Sequence, residues 1–228
     1  MCPTEILKQE HRVIEQVLDC LEILAQRGEA NGNLDWNSAK QAIDFFQNFA
    51  DRCHHGKEEE CLFPMLEQKG FSPDQGPTGV MRSEHELGRH HVREMAEAIK
   101  SLSQNPSGSI PRPGKSAQSN DFETCSKSAA DGSSSAIAGF ASHARAYVRL
   151  LRDHIQKEDH CLFQMADQAL NEQEQSQLMS SFEQVEHDDM GTGTHQKYLD
   201  IATQLADRFG VPSVETETSG CGSCCHHG

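Results

Sequence analysis

Residues 54–65 read His-His-Gly-Lys-Glu-Glu-Glu-Cys-Leu-Phe-Pro-Met, and one hundred residues later 154–165 read His-Ile-Gln-Lys-Glu-Asp-His-Cys-Leu-Phe-Gln-Met. Seven of the twelve positions are identical, which makes the pair an internal repeat. Residues four apart on a helix share a face, so each copy projects an imidazole and a carboxylate toward one point: His54 with Glu58, and His154 with Glu158. A chain that carries this pair must find room for both motifs on helices and a way to neutralise two carboxylates.

The surrounding periodicity supplies the helices. Leu7, His11, Ile14, Leu18, Leu21 and Ala25 recur at alternating steps of four and three, with Thr4 as a candidate cap and Asn31-Gly32 as a stop. Ile43, Phe46, Ala50, His54, Glu58, Cys61 and Met65 describe a second helix over about 37–69, in which Pro64 is expected to kink the last turns. After a Pro- and Gly-rich loop at 71–79, Met81, His85, Gly88, Val92, Met95, Ile99 and Leu102 mark a third. The fourth carries Ile137, Phe140, Ala144, Tyr147, Leu151, His154, Glu158, Cys161 and Met165 on one stripe. Between the third and fourth, about 103–135 is rich in Ser, Gly, Pro and Asn without apolar periodicity and reads as a flexible insertion. Residues 171–186 and 195–209 read as two shorter helices packed outside the core. The expected fold is therefore all-α: an up-down-up-down four-helix bundle with two shorter C-terminal helices. It forms one domain over 1–210, and a disordered Cys/His-rich tail follows at 211–228.

Both glutamates of the repeat fall on core stripes, where a charged carboxylate is costly unless it is paired or bound to a metal. His11 and His85 interrupt the stripes of helices one and three. With the repeat they make a set of four histidines and two glutamates: His11, His54, Glu58, His85, His154 and Glu158. Two cations satisfy that set, each receiving two imidazoles, and the interior of a four-helix bundle is where such sites are built. Imidazole with carboxylate and no thiolate suits iron, manganese, zinc or copper rather than calcium, and iron is the favoured reading.

Composition removes other classes. Thirty-five acidic against 20 basic side chains give a formal charge of −15, which disfavours nucleic acid and anionic membranes as partners. The N-terminus lacks the basic and apolar segments of a signal peptide, and no stretch has the apolar length to span a bilayer, so a cytoplasmic protein is expected. Nine cysteines, three of them in the last eight residues, argue for reduced thiols rather than a disulfide framework. No catalytic triad or organic-cofactor motif is present.

The arrangement His11, His54-x-x-x-Glu58-Glu-x-x-Leu-Phe-Pro, His85 and His154-x-x-x-Glu158-x-x-x-Leu-Phe resembles the hemerythrin-like, or HHE cation-binding, family over residues 5 to about 170. The resemblance implies an oxo- or hydroxo-bridged pair of iron ions held by these six residues. Oxygen-carrying hemerythrins have a His-x-x-x-His pair on the third helix, whereas here Arg89 follows His85 by four residues. They also use a carboxylate five residues after the final histidine, a spacing that Asp159 meets; the internal repeat favours Glu158. The six-residue set looks more like proteins that repair damaged iron centres. The functions implied are binding, sensing or detoxification of O2, NO or peroxide, or alternatively donation of iron to an iron-sulfur client through the tail Cys221, Cys224 and Cys225. Cys61 and Cys161 read as small buried hydrophobes.

Overall fold

A computed structural model of the chain describes residues 2–103, 122–190 and 193–214. Among the described residues there are six helices and no strand. Helix α1 (Pro3–Asn31) starts with Pro3 in its first turn, where a missing N–H costs nothing, and stops at Gly32 in the left-handed conformation with φ 61°. Thr4 is not the cap; it lies inside the helix, and its hydroxyl donates to Asp167 at 2.8 Å.

Helix α2 is one continuous rod over 36–68, capped by the Asp35 side chain on the Ser38 N–H. It is α-helical over Trp36–Phe45, π-helical over Phe46–His55 and Lys57–Leu62, and α-helical again over Phe63–Gln68. Pro64 stands in the first turn of that last segment, where the change of hydrogen-bonding pattern accommodates its missing donor. Helix α3 spans Pro77–Ser103. Helix α4 runs over 122–169, with a π-helical turn at Glu158–Leu162 between α-helical Phe122–Lys157 and Phe163–Ala169. Its start at Phe122 lies inside the stretch expected to be loop: the prolines there all precede residue 114, and the following Ser- and Ala-rich segment holds only Gly132 as a weak helix former, at a cost of about 1 kcal/mol. Residues 104–121 and the Cys-rich tail at 215–228 lie outside the described residues.

The π-helical turns correct the expected stripes. A wider turn absorbs an extra residue, so the inward face slips by one position along the chain. Leu62, Phe63, Leu162 and Phe163 are buried, while Cys61 is half-buried and Cys161 is exposed. Met165, expected inside, is exposed at the surface.

Helices α5 (Glu172–Val185, continued by a π-helical turn at Glu186–Met190) and α6 (Thr194–Phe209) complete the fold. A reciprocal capping box of Asn171 and Glu174 starts α5. Both contribute to the interior rather than sitting outside it: Leu178 and Phe182 of α5 join one apolar cluster, and Tyr198, Ala202, Leu205 and Phe209 of α6 join the other. Helix α4 packs along α3 and α1, and α6 packs on α1. The first apolar cluster contains Ile14, Leu18, Ala50, Val92 and Leu151; the second contains Leu7, Leu62, Met81, Leu162 and Phe163. On each of α1 to α4 a buried histidine separates the two clusters, so a polar layer crosses the core.

Candidate metal centre

The polar layer brings together all six residues singled out in the sequence. His11, His54, Glu58, His85, His154 and Glu158 are each at most 1% exposed. His11 Nε2 lies 3.2 Å from Glu158 Oε2, and His154 Nε2 lies 3.1 Å from the same oxygen. On the other glutamate, His85 Nε2 is 3.4 Å from Oε2 and His54 Nε2 is 3.6 Å from Oε1. Despite this proximity, His11 Nε2, His54 Nε2 and all four oxygens of Glu58 and Glu158 have no hydrogen-bond partner among the described residues. Buried polar atoms are normally satisfied, and six unsatisfied lone-pair donors facing one volume fit the donor set of a metal ion that would accept them.

The outer faces of the rings are satisfied, and with a regularity that repeats the sequence duplication. His54 Nδ1 donates to Glu10 at 2.9 Å, and His154 Nδ1 donates to Glu84 at 2.9 Å. His11 Nδ1 donates to Asp159 at 2.7 Å, and His85 Nδ1 donates to Glu59 at 2.6 Å. A carboxylate can only accept, so each of these contacts puts a proton on Nδ1 and leaves Nε2 as the inward-facing nitrogen. Lys57 bonds Glu10 at 2.5 Å, and its repeat mate Lys157 bonds Glu84. Arg12 holds Asp159, and Arg89 holds Glu59 at 2.9 Å. Phe163 stacks on His11 at 5.4 Å and Phe63 on His85 at 6.0 Å, closing the layer against water.

A seventh residue joins the centre. His55 is 3% exposed and stacks on His85 with ring centroids 3.8 Å apart. The side chains divide into two sets, each with ligand atoms within 4.8 Å of one another: His11, His54, Glu58 and Glu158, and His55, Glu58, His85 and His154. The repeat gives no signal for His55, because its counterpart is Ile155, and adjacent residues on an ordinary α-helix diverge by about 100°. The narrower angular step of the π-helical segment lets His54 and His55 face inward together. The carboxylates behind the rings did carry a sequence signal. Glu10-His11 and Glu84-His85 are the same dipeptide on α1 and α3, and Glu59 and Asp159 both follow the repeated glutamate.

Without a cation the electrostatics of the layer are strained. Burial and the neighbouring Glu158 charge push the Glu58 carboxyl well above the usual carboxylate range. Burial opposes protonation of His154, yet the charge and hydrogen bonds of Glu158 and Glu84 raise it to about 9. Two buried carboxylates cannot both ionise unless positive charge is brought to them, by protons or by metal ions.

The hemerythrin HHE cation-binding domain matches residues 2–118. The chain belongs to that family. Uncharacterized proteins from Mycobacterium bovis and Mycobacterium tuberculosis are similar to it, 21% identical over 207 residues that cover 91% of this chain and 70% of each relative. No solved structure matches. The family match ends before the second motif, so its extension to His154 and Glu158 rests on the repeat and on where the fold places those two side chains. Family membership and the His/Glu clusters together make this hemerythrin-like chain a candidate cation-binding protein with a metal-binding character typical of iron. Among the described residues no helix is long and apolar enough to cross a membrane.

Proposed function

We propose that His11, His54, Glu58, His85, His154 and Glu158, joined by His55, hold two iron ions as a bridged pair, and that the protein binds, senses or detoxifies O2, NO or peroxide. The observation that carries the reading is the ring of inward-facing, unsatisfied nitrogens and carboxylate oxygens gathered at the centre of the core. The surrounding fold is proposed to be an up-down-up-down four-helix bundle. In support, α1 and α3 run from the second apolar cluster to the first (Leu7 to Ile14, Met81 to Val92), whereas α2 and α4 run the opposite way (Ala50 to Leu62, Leu151 to Leu162).

Bound there, iron would supply open coordination positions and redox capacity. The chain's own contribution is preorganisation. Glu10, Asp159, Glu59 and Glu84 fix the four ring tautomers, and such partners behind a ligand raise its basicity and hold its direction. Glu58 and Glu158 each lie within reach of imidazoles from two helices, which suits them to join two ions. His55 makes the two halves unequal, with two histidines in one set and three in the other.

Access favours a small ligand. A cavity of about 150 Å³ lies beside His55, lined by Phe46, Asp51, Gly88, Arg89 and Tyr147 among others. A side chain at Gly88 would come within 3.4 Å of the Tyr147 ring, so glycine keeps that wall thin. A cavity of this size admits a diatomic molecule or peroxide, and nothing larger than about a single aromatic ring. The alternative of iron donation to a client leans on the tail cysteines, which lie outside the described residues, and no described feature adds to it.

The test is spectroscopic. Protein loaded anaerobically with ferrous iron and exposed separately to NO, O2 and peroxide should change its absorption with at least one of them in seconds. Iron that stays bound and unresponsive to all three would overturn the small-ligand reading while leaving the metal site intact.

A further inference from the structure

A second group of histidines lies away from the buried layer, on the face where α3 meets α4. His90 is exposed, and His91 and His143 are half-buried. His91 Nδ1 and His143 Nδ1 approach to 3.1 Å, and the ring centroids are separated by 5.4 Å (His90–His91), 5.4 Å (His91–His143) and 5.8 Å (His90–His143). One nitrogen from each of the three rings falls within 4.8 Å of the other two. His91 follows His85 by six residues on α3, a rise of about 9 Å along the helix, and the three residues take no part in the centre described above.

We propose that His90, His91 and His143 form a surface site for one divalent transition-metal ion of the zinc, copper and nickel class. Three imidazole nitrogens from two helices are the donor set such ions prefer, and with no thiolate or close carboxylate the site selects against calcium and magnesium. Three protein nitrogens leave a fourth position open to water, as in open zinc sites. Glu94 is the nearest acid to His90, at 3.9 Å, too distant for a hydrogen bond but able to offset part of the added charge. The packing of α3 against α4 fixes the two backbones, so a metal would find the residues already assembled rather than having to order them.

The experiment titrates zinc into the full chain after loading with iron, by calorimetry, with iron and zinc then counted by elemental analysis. Wild type is compared with His91→Ala/His143→Ala and with His90→Ala, whose side chain is exposed and whose loss cannot unfold the core. The double variant should lose one zinc equivalent with iron content and helicity unchanged. His90→Ala should weaken that equivalent by at least about tenfold, since losing an outer partner alone has that effect. Zinc count and affinity equal to wild type in both variants would overturn the proposal, as would zinc that never binds to the wild-type chain. Loss of iron together with zinc in His90→Ala would also overturn it, by showing that there is no separate site. Failure of the buried iron assignment would appear instead as absent iron in the wild-type protein.

Discussion

Asp159 lies 2.7 Å from His11 Nδ1, on the side of the ring facing away from Glu158. The two neighbouring carboxylates of α4 therefore have separate tasks: Glu158 points into the buried layer, and Asp159 orients the imidazole from behind with Arg12 holding it in place. The contact from α2 to α3 repeats this, with Glu59 behind His85 and Glu58 at the centre.

That division predicts different phenotypes for adjacent residues. Asp159→Asn should still reach the wild-type iron count at saturation but weaken affinity by about 10- to 100-fold. Glu158→Ala should abolish stoichiometric binding while keeping its helical circular dichroism. Ferrous titrations of the two variants check this, and equal losses in both would contradict the assignment.

The two repeated lysines should differ in what they contribute to stability. Lys57 is fully buried between Glu10 and Glu186, and the paired charges hold it protonated against the burial that disfavours its charge. Against burial, Lys57 and then His54 lower Glu10 to about 2. Lys57→Met removes the partner of a buried carboxylate and should cost about 3–5 kcal/mol. Lys157 has a side chain 42% exposed, and Lys157→Met should cost under about 1 kcal/mol. Urea unfolding of the two variants reads the difference directly, and similar midpoints would refute it.

His55 separates the two halves of the centre, since its repeat mate is Ile155. His55→Ile should leave one iron bound as in wild type and weaken the second by at least about tenfold. Stepwise ferrous titration reports the two affinities. An unchanged second step would mean that His55 is only a stacking partner of His85.

The interior thiols should be inert. Burial, then the Asp19 charge, pushes Cys20 up to about 12, and burial, then Glu10, does the same to Cys53. At pH 8 folded protein should leave both unmodified by iodoacetamide while exposed Cys161 reacts. The pH dependence has a definite sign. These thiols keep their protons longer in the folded chain than in the unfolded one, so the stability they confer is intact below their ordinary value of 9.0 and is lost as pH rises toward about 12. Alkylation of Cys20 at pH 8 without unfolding would contradict the buried placement.

Much of this was legible in the chain because the functional residues disturb an otherwise regular pattern. A histidine in an apolar stripe is visible on α1 and α3, and a duplicated His-x-x-x-Glu is visible on α2 and α4. What escaped depended on the width of a helical turn. Strict 3.6-residue spacing carried the stripes to Cys61, Met65, Cys161 and Met165, whereas the π-helical turns moved the interior to Leu62, Phe63, Leu162 and Phe163. The same local geometry turned His55 inward. Hydrogen-bonding pattern within a helix depends on tertiary packing and on the site itself, so periodicity alone does not reveal it. The helix start at Phe122 was missed for a different reason: Ser- and Ala-rich sequence has no apolar stripe to announce it.

The most direct test of the account is elemental analysis of wild-type protein and Glu58→Ala/Glu158→Ala, purified without chelators or affinity metals and then loaded anaerobically with ferrous iron. The account predicts two irons per wild-type chain and none held stoichiometrically by the double variant, with equal helicity in both. Zinc alone, no metal after loading, or two irons retained by the double variant would contradict it.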